Sequence, residues 1–169
     1  DINEIDNWIK EAEEIGEIAV DTETNSLDPH QADLIGISLS TKIGKACYIP
    51  IGHKSKKNMD KNLVLEKLKP LLEDPSIQKI GQNIKFDFIV FFKQGIEITS
   101  MEDTMLMSYV LDAGKNRHNM DTLAEIHLGH KTIAFKDLVG TGKKEINFSE
   151  VDIEKAKDYA AEDADITLR

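Results

Sequence analysis

Apolar residues recur along this sequence with two periods, and each period predicts one kind of secondary structure. The runs 17–23, 34–40, 46–51 and 77–80 are short and rich in β-forming residues, which predicts strands. A helical spacing of apolar residues predicts helices at 4–14, 59–72, 83–94, 102–111, 121–128 and 151–169. Strands that come first and then alternate with helices predict an α/β fold with one mixed sheet.

Glycine and proline residues mark the expected ends and turns of these elements. Gly16 and Gly95 each follow a predicted helix at the position where a glycine commonly ends it. Pro70 has no backbone N–H, so we expect it to kink or end the helix 59–72. The turn residues 42–44 make the second and third strands a hairpin, and 140–144 is predicted to be a flexible loop.

The composition fits one globular domain of 169 residues, of which 40% are apolar and 31% are charged. The longest apolar run, Phe88 to Phe92, is far shorter than the roughly 20 residues of a membrane helix. The acidic first residues do not resemble a signal peptide. Cys47 is the single cysteine, which excludes an internal disulfide and a cysteine cluster for zinc. We therefore expect a protein of a reducing, intracellular compartment.

The formal net charge of −10 argues at first against nucleic-acid binding, because proteins that bind phosphates usually carry an excess of Lys and Arg. This argument is weak for an enzyme with an acidic site, since carboxylates that hold cations also count as negative. The lysines form two clusters that we interpret as solvated surface, Lys54, Lys56, Lys57 and Lys61 in one and Lys131, Lys136, Lys143 and Lys144 in the other.

Both ends of the sequence suggest a piece of a longer chain. The sequence does not begin with Met, and the last predicted helix reaches Arg169 without a Gly or Pro that would end it. We therefore expect residues 1–169 to be one domain of a larger protein.

Three segments place acidic residues where they do not help folding. In the first, Asp21 and Glu23 share one face of the strand 17–23. Two like charges on one face are unfavourable unless they share a cation. The pair also fits an exposed strand end before the turn at Asn25-Ser26.

The second acidic segment follows the strand 77–80. Asn83 and Asp87 are four residues apart and lie side by side at the edge of the apolar stripe of the helix 83–94. Alternatively, Asn83 caps this helix and Asp87 interacts favourably with the helix dipole. The stripe is assigned to Ile84, Phe88, Phe91 and Phe92.

In the third segment, helical geometry separates inward-facing from outward-facing acids. Tyr159 and Asp163 are four residues apart and share the inward face of the helix 151–169 with small and apolar residues. Asp165 is about 200° around the helix from Asp163. We expect the solvent-facing side to hold Asp158, Glu162 and Asp165.

Four carboxylates thus become candidates for one site: Asp21, Glu23, Asp87 and Asp163. Hard oxygen ligands without His or Cys suit Mg²⁺ or Mn²⁺ better than zinc. Enzymes that cleave phosphodiesters with two metal ions, about 3.5–4 Å apart, use sites of this kind.

The motifs around these acids resemble the DEDD (DnaQ-like) 3′-5′ exonucleases of the subclass with Tyr in the third motif. They resemble most closely the proofreading exonuclease domains of bacterial DNA polymerases I, over residues 17–169. The matching segments are Asp21-Thr22-Glu23-Thr24-Asn25-Ser26-Leu27-Asp28, Gly81-Gln82-Asn83-Ile84-Lys85-Phe86-Asp87, Arg117-His118-Asn119-Met120-Asp121-Thr122-Leu123-Ala124 and Tyr159-Ala160-Ala161-Glu162-Asp163-Ala164-Asp165.

The resemblance implies a ribonuclease H-like fold and a site with two divalent ions, Mg²⁺ or Mn²⁺. It implies that Asp21 bridges both ions and that Glu23 and Asp163 complete the first ion's ligands. Asp87 would hold the second ion, largely through water. Tyr159, with Glu23, would orient the attacking water.

The same resemblance implies which residues bind the substrate, the single-stranded 3′ end of DNA. Leu27 would wedge against the terminal base, Phe135 would contact the terminal nucleotides, and Arg117 would contact the backbone. Both Leu27 and Phe135 could equally be core residues. The other residues implied to bind the strand are Thr24, Gln82 and Asn83.

The implied setting is a monomeric exonuclease domain inside a bacterial DNA polymerase, cytoplasmic and associated with the nucleoid, without a membrane. Its implied product is nucleoside 5′-monophosphate. Two alternatives stay open: an RNA exonuclease of the ribonuclease D type, and a non-catalytic module that binds single strands. The complete set of acids argues against the second.

Overall fold

The computed structural model describes residues 1–55 and 57–169, so Lys56 of the first lysine cluster lies outside the described residues. Within the described part, five strands form one mixed sheet in the order β3-β2-β1-β4-β5. Strand β2 pairs antiparallel with β1 and β3, whereas β4 pairs parallel with β1 and β5. The strands are β1 (Glu17–Thr24), β2 (Leu34–Lys42), β3 (Lys45–Pro50), β4 (Gln78–Gly81) and β5 (Met101–Asp103). The predicted mixed α/β sheet is confirmed.

Helices connect the strands and cover both faces of the sheet. The α-helices are α1 (Ile2–Ile15), α2 (Lys61–Glu73), α3 (Ile84–Phe92), α4 (Thr104–Asp112), α5 (Met120–Leu123), α6 (Phe135–Val139) and α7 (Ile153–Leu168). A π-helical turn continues α5, and two 3₁₀ turns lie between α6 and α7. These turns span Ala124–Leu128, Gly142–Lys144 and Phe148–Glu150.

The main core lies on the face of the sheet covered by α1 and α2. Ile18 and Val20 of β1 point into this face, and Val64 and Leu68 of α2 pack against it. The opposite face is covered by α7, which contacts β1, β2 and β3. Three fully buried alanines of α7 allow this helix to lie close to the sheet: Ala156, Ala160 and Ala164. Because neighbouring residues of a strand point to opposite faces, Asp21 and Glu23 of β1 face α7.

Helix α1 ends as expected at Gly16, which has a left-handed conformation with φ of 86°. Pro70 does not end α2: the helix continues to Glu73, and the prediction of an end there is wrong. Buried Leu71 and Leu72 anchor this last turn to the core, which offsets the lost backbone hydrogen bond.

Three other predicted elements differ from the structure, and one observed helix was not predicted. The range 102–111 begins in strand β5 before α4 starts, and 121–128 divides into α5 and the π-helical turn. Helix α6 is not predicted, and part of the expected loop 140–144 forms a 3₁₀ turn. Phe92 is 58% exposed, so it does not belong to the buried stripe of α3.

None of the helices in the described residues is both long and apolar enough to cross a bilayer.

Candidate metal-binding active site

Two elements bring three carboxylates together on the α7 face of the sheet. Asp21 and Glu23 come from β1, and Asp163 comes from the middle of α7. One oxygen from each of these three side chains lies within 4.8 Å of the others. Glu23 and Asp163 are buried, while Asp21 is partly exposed. The sequence-based pairing of the first and third acidic segments is therefore present in the structure.

The fourth carboxylate, Asp87, reaches the same region from α3 and is fixed by Thr22. Strand β1 pairs with β4 only over Glu17–Ala19, so the backbone of Thr22 beyond this pairing is free to bind a side chain. Its N–H donates to Asp87 Oδ1 at 3.0 Å, and its hydroxyl donates to the same oxygen at 2.5 Å. Both groups are buried.

Burial and mutual repulsion make these acids hard to ionise. Burial is the main cause that raises the pKa of Asp21 and of Glu23 well above the ordinary range, and neighbouring carboxylates add to it. Burial also raises the pKa of Asp87 to about 7, although the Thr22 hydrogen bonds oppose this rise. The pKa of Asp163 is raised to about 7, again mainly by burial, and hydrogen bonding from Tyr159 opposes the rise.

The donor set fits a divalent cation. Glu23 Oε1 is buried and has no hydrogen-bond partner within the described residues. A buried carboxylate oxygen without a donor is costly, and a cation shared with Asp21 and Asp163 would remove both this cost and the repulsion. Oxygen-only ligands are those that Mg²⁺ and Mn²⁺ prefer.

Aromatic side chains form one wall beside the acids. The ring of Tyr159 lies 5.9 Å from that of Phe135 and 6.3 Å from that of Phe148, and Phe135 stacks on Phe148 at 6.1 Å. Burial and the nearby carboxylates, Asp163 foremost, raise the pKa of Tyr159. Its hydroxyl therefore stays protonated and able to donate a hydrogen bond.

A cleft of about 420 Å³ runs past these groups. Thr24, Leu27, Phe135 and Tyr159 line it together with Glu23. Leu27 is 95% exposed and Phe135 is 45% exposed, which excludes the alternative that they are core residues. Three of the predicted substrate-binding residues thus meet beside the acids.

The other predicted substrate-binding residues lie outside the lining of this cleft. Asn83 occupies the N-cap position of α3, in the left-handed region at φ of 60°, as the alternative predicted, but its side chain makes no capping hydrogen bond among the described residues. Gln82 is engaged within the protein: its Nε2 donates to the His118 carbonyl at 2.8 Å, and its Oε1 accepts from Thr104. Arg117 is exposed in the segment next to His118.

Two acids of α7 do not face solvent as predicted. The Asp165 side chain is only 14% exposed; it accepts a hydrogen bond from Gly44 N–H in the β2–β3 turn and pairs with Arg169. The Glu162 side chain is 16% exposed and binds the segment 130–133. Helical periodicity separates the sheet side of α7 from the other side, but it does not show what covers that other side.

Thr22 and Phe148 are residues of the site that sequence reasoning missed. The position of Thr22 between Asp21 and Glu23 could have marked it as a residue of the site. Strand alternation, however, places its side chain on the opposite face of the sheet from both acids. Phe148 lies in a 3₁₀ turn far along the chain, and no local pattern connects it with Tyr159.

The chain is similar to known proteins over its whole length. A family model described as 3′-5′ exonuclease matches residues 1–169. The chain is 45% identical over 190 residues to the DNA polymerase I of Rhizobium leguminosarum. This alignment covers 100% of the chain and 19% of that protein. It is 47% identical over 170 residues to the DNA polymerase I of Pseudomonas aeruginosa, with 97% of the chain and 19% of that protein covered. The chain thus spans about a fifth of the length of these curated relatives.

Among solved structures, the chain is similar to Brucella melitensis NrnC with bound Mg²⁺, at a TM-score of 0.70 and 26% identity. The match covers 92% of this chain and 69% of that one. The expected ribonuclease H-like fold, a mixed sheet flanked by helices, is confirmed.

Proposed function

The chain belongs to the 3′-5′ exonuclease family of DNA polymerases, and we propose that it removes nucleoside 5′-monophosphates from single-stranded or frayed 3′ ends of DNA. The observation that carries this proposal is the meeting of Asp21, Glu23 and Asp163 within 4.8 Å. These acids come from elements far apart in the sequence and destabilise the fold by their repulsion. Such an arrangement is expected where carboxylates bind a cation.

The proposed cofactors are two divalent ions, Mg²⁺ or Mn²⁺. Asp21 would be shared by both ions, Glu23 and Asp163 would complete the ligands of one, and Asp87 would serve the other. The unpartnered Glu23 oxygen and the raised pKa values of all four acids support this assignment. When bound, the ions supply Lewis acidity for activating water and for stabilising the leaving 3′ oxygen.

The protein's own groups would orient the water and the scissile phosphate. Tyr159 keeps its hydroxyl proton, and its hydroxyl would form a hydrogen bond with the attacking water, while Glu23 accepts one from the same water. Thr22 would hold Asp87 in a fixed orientation through its two hydrogen bonds. Preorganised groups of this kind lower the barrier without rearranging during the reaction.

The cleft would hold the terminal nucleotides. Its volume of about 420 Å³ lies within the range of sites for small molecules. The exposed side chains of Leu27 and Phe135 offer apolar surface against which a frayed base can pack. Thr24, Gln82, Asn83 and Arg117 remain proposed contacts to the strand, and of these only Thr24 lines the cleft.

The proposed setting is proofreading within a bacterial DNA polymerase at the chromosome, with residues 1–169 as its exonuclease domain. The relatives are about five times longer than this chain. An apolar surface on α4 supports contact with the rest of such a protein: Val110 is 81% exposed, and a groove of about 740 Å³ runs between α3, β5 and α4. Apolar surface of this extent is typical of interaction sites.

A test of this function is the digestion of a 5′-labelled single-stranded DNA with Mg²⁺ or Mn²⁺, with EDTA, and with RNA of the same sequence. We expect a ladder that shortens from the 3′ end, is absent with EDTA and is weak on RNA. The Asp87→Ala variant should be slower by orders of magnitude, because it loses a ligand and a charge together.

Each alternative has its own outcome in this experiment. Faster digestion of the RNA would indicate a ribonuclease D-like enzyme. Absence of a ladder with either metal, at any enzyme concentration, would indicate a non-catalytic module that binds single strands.

A further inference from the structure

Glu162 lies next to Asp163 on α7, but its carboxylate binds a different part of the chain. Oε1 lies 2.7 Å from His130 Nε2, and Oε2 accepts a hydrogen bond from Ile133 N–H at 2.6 Å. Both contacts are about thirty residues away in sequence, so they connect α7 to a distant part of the chain. We call this pair of contacts the Glu162 bridge.

The bridge fixes a segment with little regular structure of its own. Residues 129–134 form neither helix nor strand, and α6 begins directly after them at Phe135. Further hydrogen bonds hold this segment: Thr132 Oγ1 donates to Asp121 Oδ1 at 2.6 Å, and the N–H groups of Gly129 and His130 donate to the preceding π-helical turn at 3.2 Å. The contact of the bridge with Ile133 lies two residues before Phe135, whose ring packs against Tyr159.

We propose that Glu162 is a positioning residue, which holds residues 130–134 so that Phe135 stays in the cleft beside Tyr159. This inference rests on the proposed function, because it assigns Phe135 a place in substrate binding. Phe135 packs by its ring on Phe148 and Tyr159 and lines the cleft. Without the bridge, Phe135 would occupy a range of positions, and the 3′ end would be bound less tightly.

A different role for Glu162 would act through its charge. The carboxylate of Glu162 contributes to the raised pKa of Asp163, so it could influence the site without holding the segment. The variants Glu162→Gln and Glu162→Ala separate these roles. Gln loses the charge but keeps an acceptor for Ile133 N–H and a group that can bond His130, whereas Ala loses both.

The first measurement is amide hydrogen exchange at Ile133. We expect exchange to be about 10- to 100-fold faster in Glu162→Ala than in the unmodified chain, the range expected for losing a hydrogen bond to a charged group. Glu162→Gln should keep most of the protection. The matched control is Glu154→Ala, which removes an exposed carboxylate of the same helix that pairs with Lys157. Unchanged exchange at Ile133 in Glu162→Ala would overturn the bridge.

The second measurement compares kinetics and binding on single-stranded DNA. Glu162→Ala should raise KM and the Kd for an oligonucleotide in EDTA by about tenfold, a loss typical of one base contact, with kcat changed by less than about twofold. Glu162→Gln should stay close to the unmodified chain, and Phe135→Ala should add nothing to Glu162→Ala.

The outcomes distinguish this inference from the proposed function. Equal loss of kcat in Glu162→Gln and Glu162→Ala would show that the charge acts on Asp163, which contradicts a positioning role. If the unmodified chain lacks nuclease activity, the proposed function fails. The Kd comparison in EDTA then still decides whether Glu162 positions Phe135, because binding needs no turnover.

Discussion

Thr22 shows how a residue between two acids of the site can serve a third. Its backbone and hydroxyl both donate to Asp87 Oδ1, and together with the backbone of Asp87 itself they oppose the raised pKa of this buried acid. The site therefore depends on a residue that holds one of its carboxylates in place.

We predict that Thr22→Val lowers kcat by about 10- to 100-fold, because a hydrogen bond to a charged group contributes about 1.5–3 kcal/mol. Val matches the shape of Thr but has no hydroxyl. Thr22→Ser keeps the hydroxyl and should retain most of the activity. Steady-state rates on single-stranded DNA check both variants, and equal rates for Val and Ser would contradict the assigned role.

At the residue scale, the spacing of residues in the sequence predicted the orientation of those side chains that strand or helix geometry alone determines. Strand alternation placed Asp21 and Glu23 on one face, and helical periodicity turned Asp163 toward the sheet. The surroundings of Glu162, Asp165 and Gln82 depend on contacts with distant segments, such as the β2–β3 turn at Gly44 and the carbonyl of His118. No local pattern contains these contacts.

At the scale of elements, Asp103 connects two helices. It is buried at the end of β5, and its Oδ1 accepts from the N–H groups of Met105 and Leu106 at the start of α4. The same oxygen accepts from Asn83 N–H at 3.0 Å, which fixes the left-handed residue before α3. One carboxylate thus caps α4 and holds the start of the helix that carries Asp87.

We predict that Asp103→Ala destabilises the fold by about 2 kcal/mol, since three backbone donors lose their acceptor. For a chain of this size the midpoint of thermal unfolding should fall by roughly 4–8 °C. Asp60→Ala is the matched control, because Asp60 caps α2 through the single N–H of Leu63 on the surface. A fall in Asp60→Ala as large as in Asp103→Ala would contradict this account.

Elements with a strong pattern were predictable, and weakly patterned ones were not. Residues 101–103 are too few to show strand alternation, and β5 forms because its backbone pairs with β4. Helix α6 has five residues, which is too short to be stable without tertiary contacts. Its apolar Val139 is buried against Phe148 and Val151, and this contact supplies the stability that the local sequence lacks.

At the scale of the whole molecule, the acids of the site make stability depend on pH. The pKa values of Asp87 and Asp163 rise to about 7 in the folded state, above those of an unfolded chain, which lie near 4. A raised folded pKa adds stability that is fully present below the unfolded pKa and is lost as pH rises through the folded one.

We predict that in EDTA the midpoint of thermal unfolding falls between pH 5 and pH 8 by roughly 2–4 °C or more, which corresponds to at least about 1 kcal/mol. Mg²⁺ or Mn²⁺ should reverse this fall, and more strongly at pH 8 than at pH 5, because the cation binds the ionised acids. Asp21→Asn should flatten the profile in EDTA. A midpoint that is constant or rises over this range in EDTA would contradict the expected repulsion.

The overall fold and the family were predictable because the motifs lie on elements whose order fixes the sheet. Two features were not predicted from the sequence, the bridge from Glu162 and the exposed face of α4, because they arise only when distant segments come together in the fold. They depend on which segments meet in space, and only the folded chain contains that information.

The repulsion among Asp21, Glu23 and Asp163 also has a consequence for how errors in this protein accumulate. Substitutions that neutralise one of these acids abolish the proposed chemistry while relieving strain in the metal-free chain, an instance of the trade-off between activity and stability. Cellular quality control removes chains that unfold, so an inactive variant of this kind would be synthesised, folded and kept. Under the proposed proofreading function, selection against such variants would act through the mutations left uncorrected in newly made DNA.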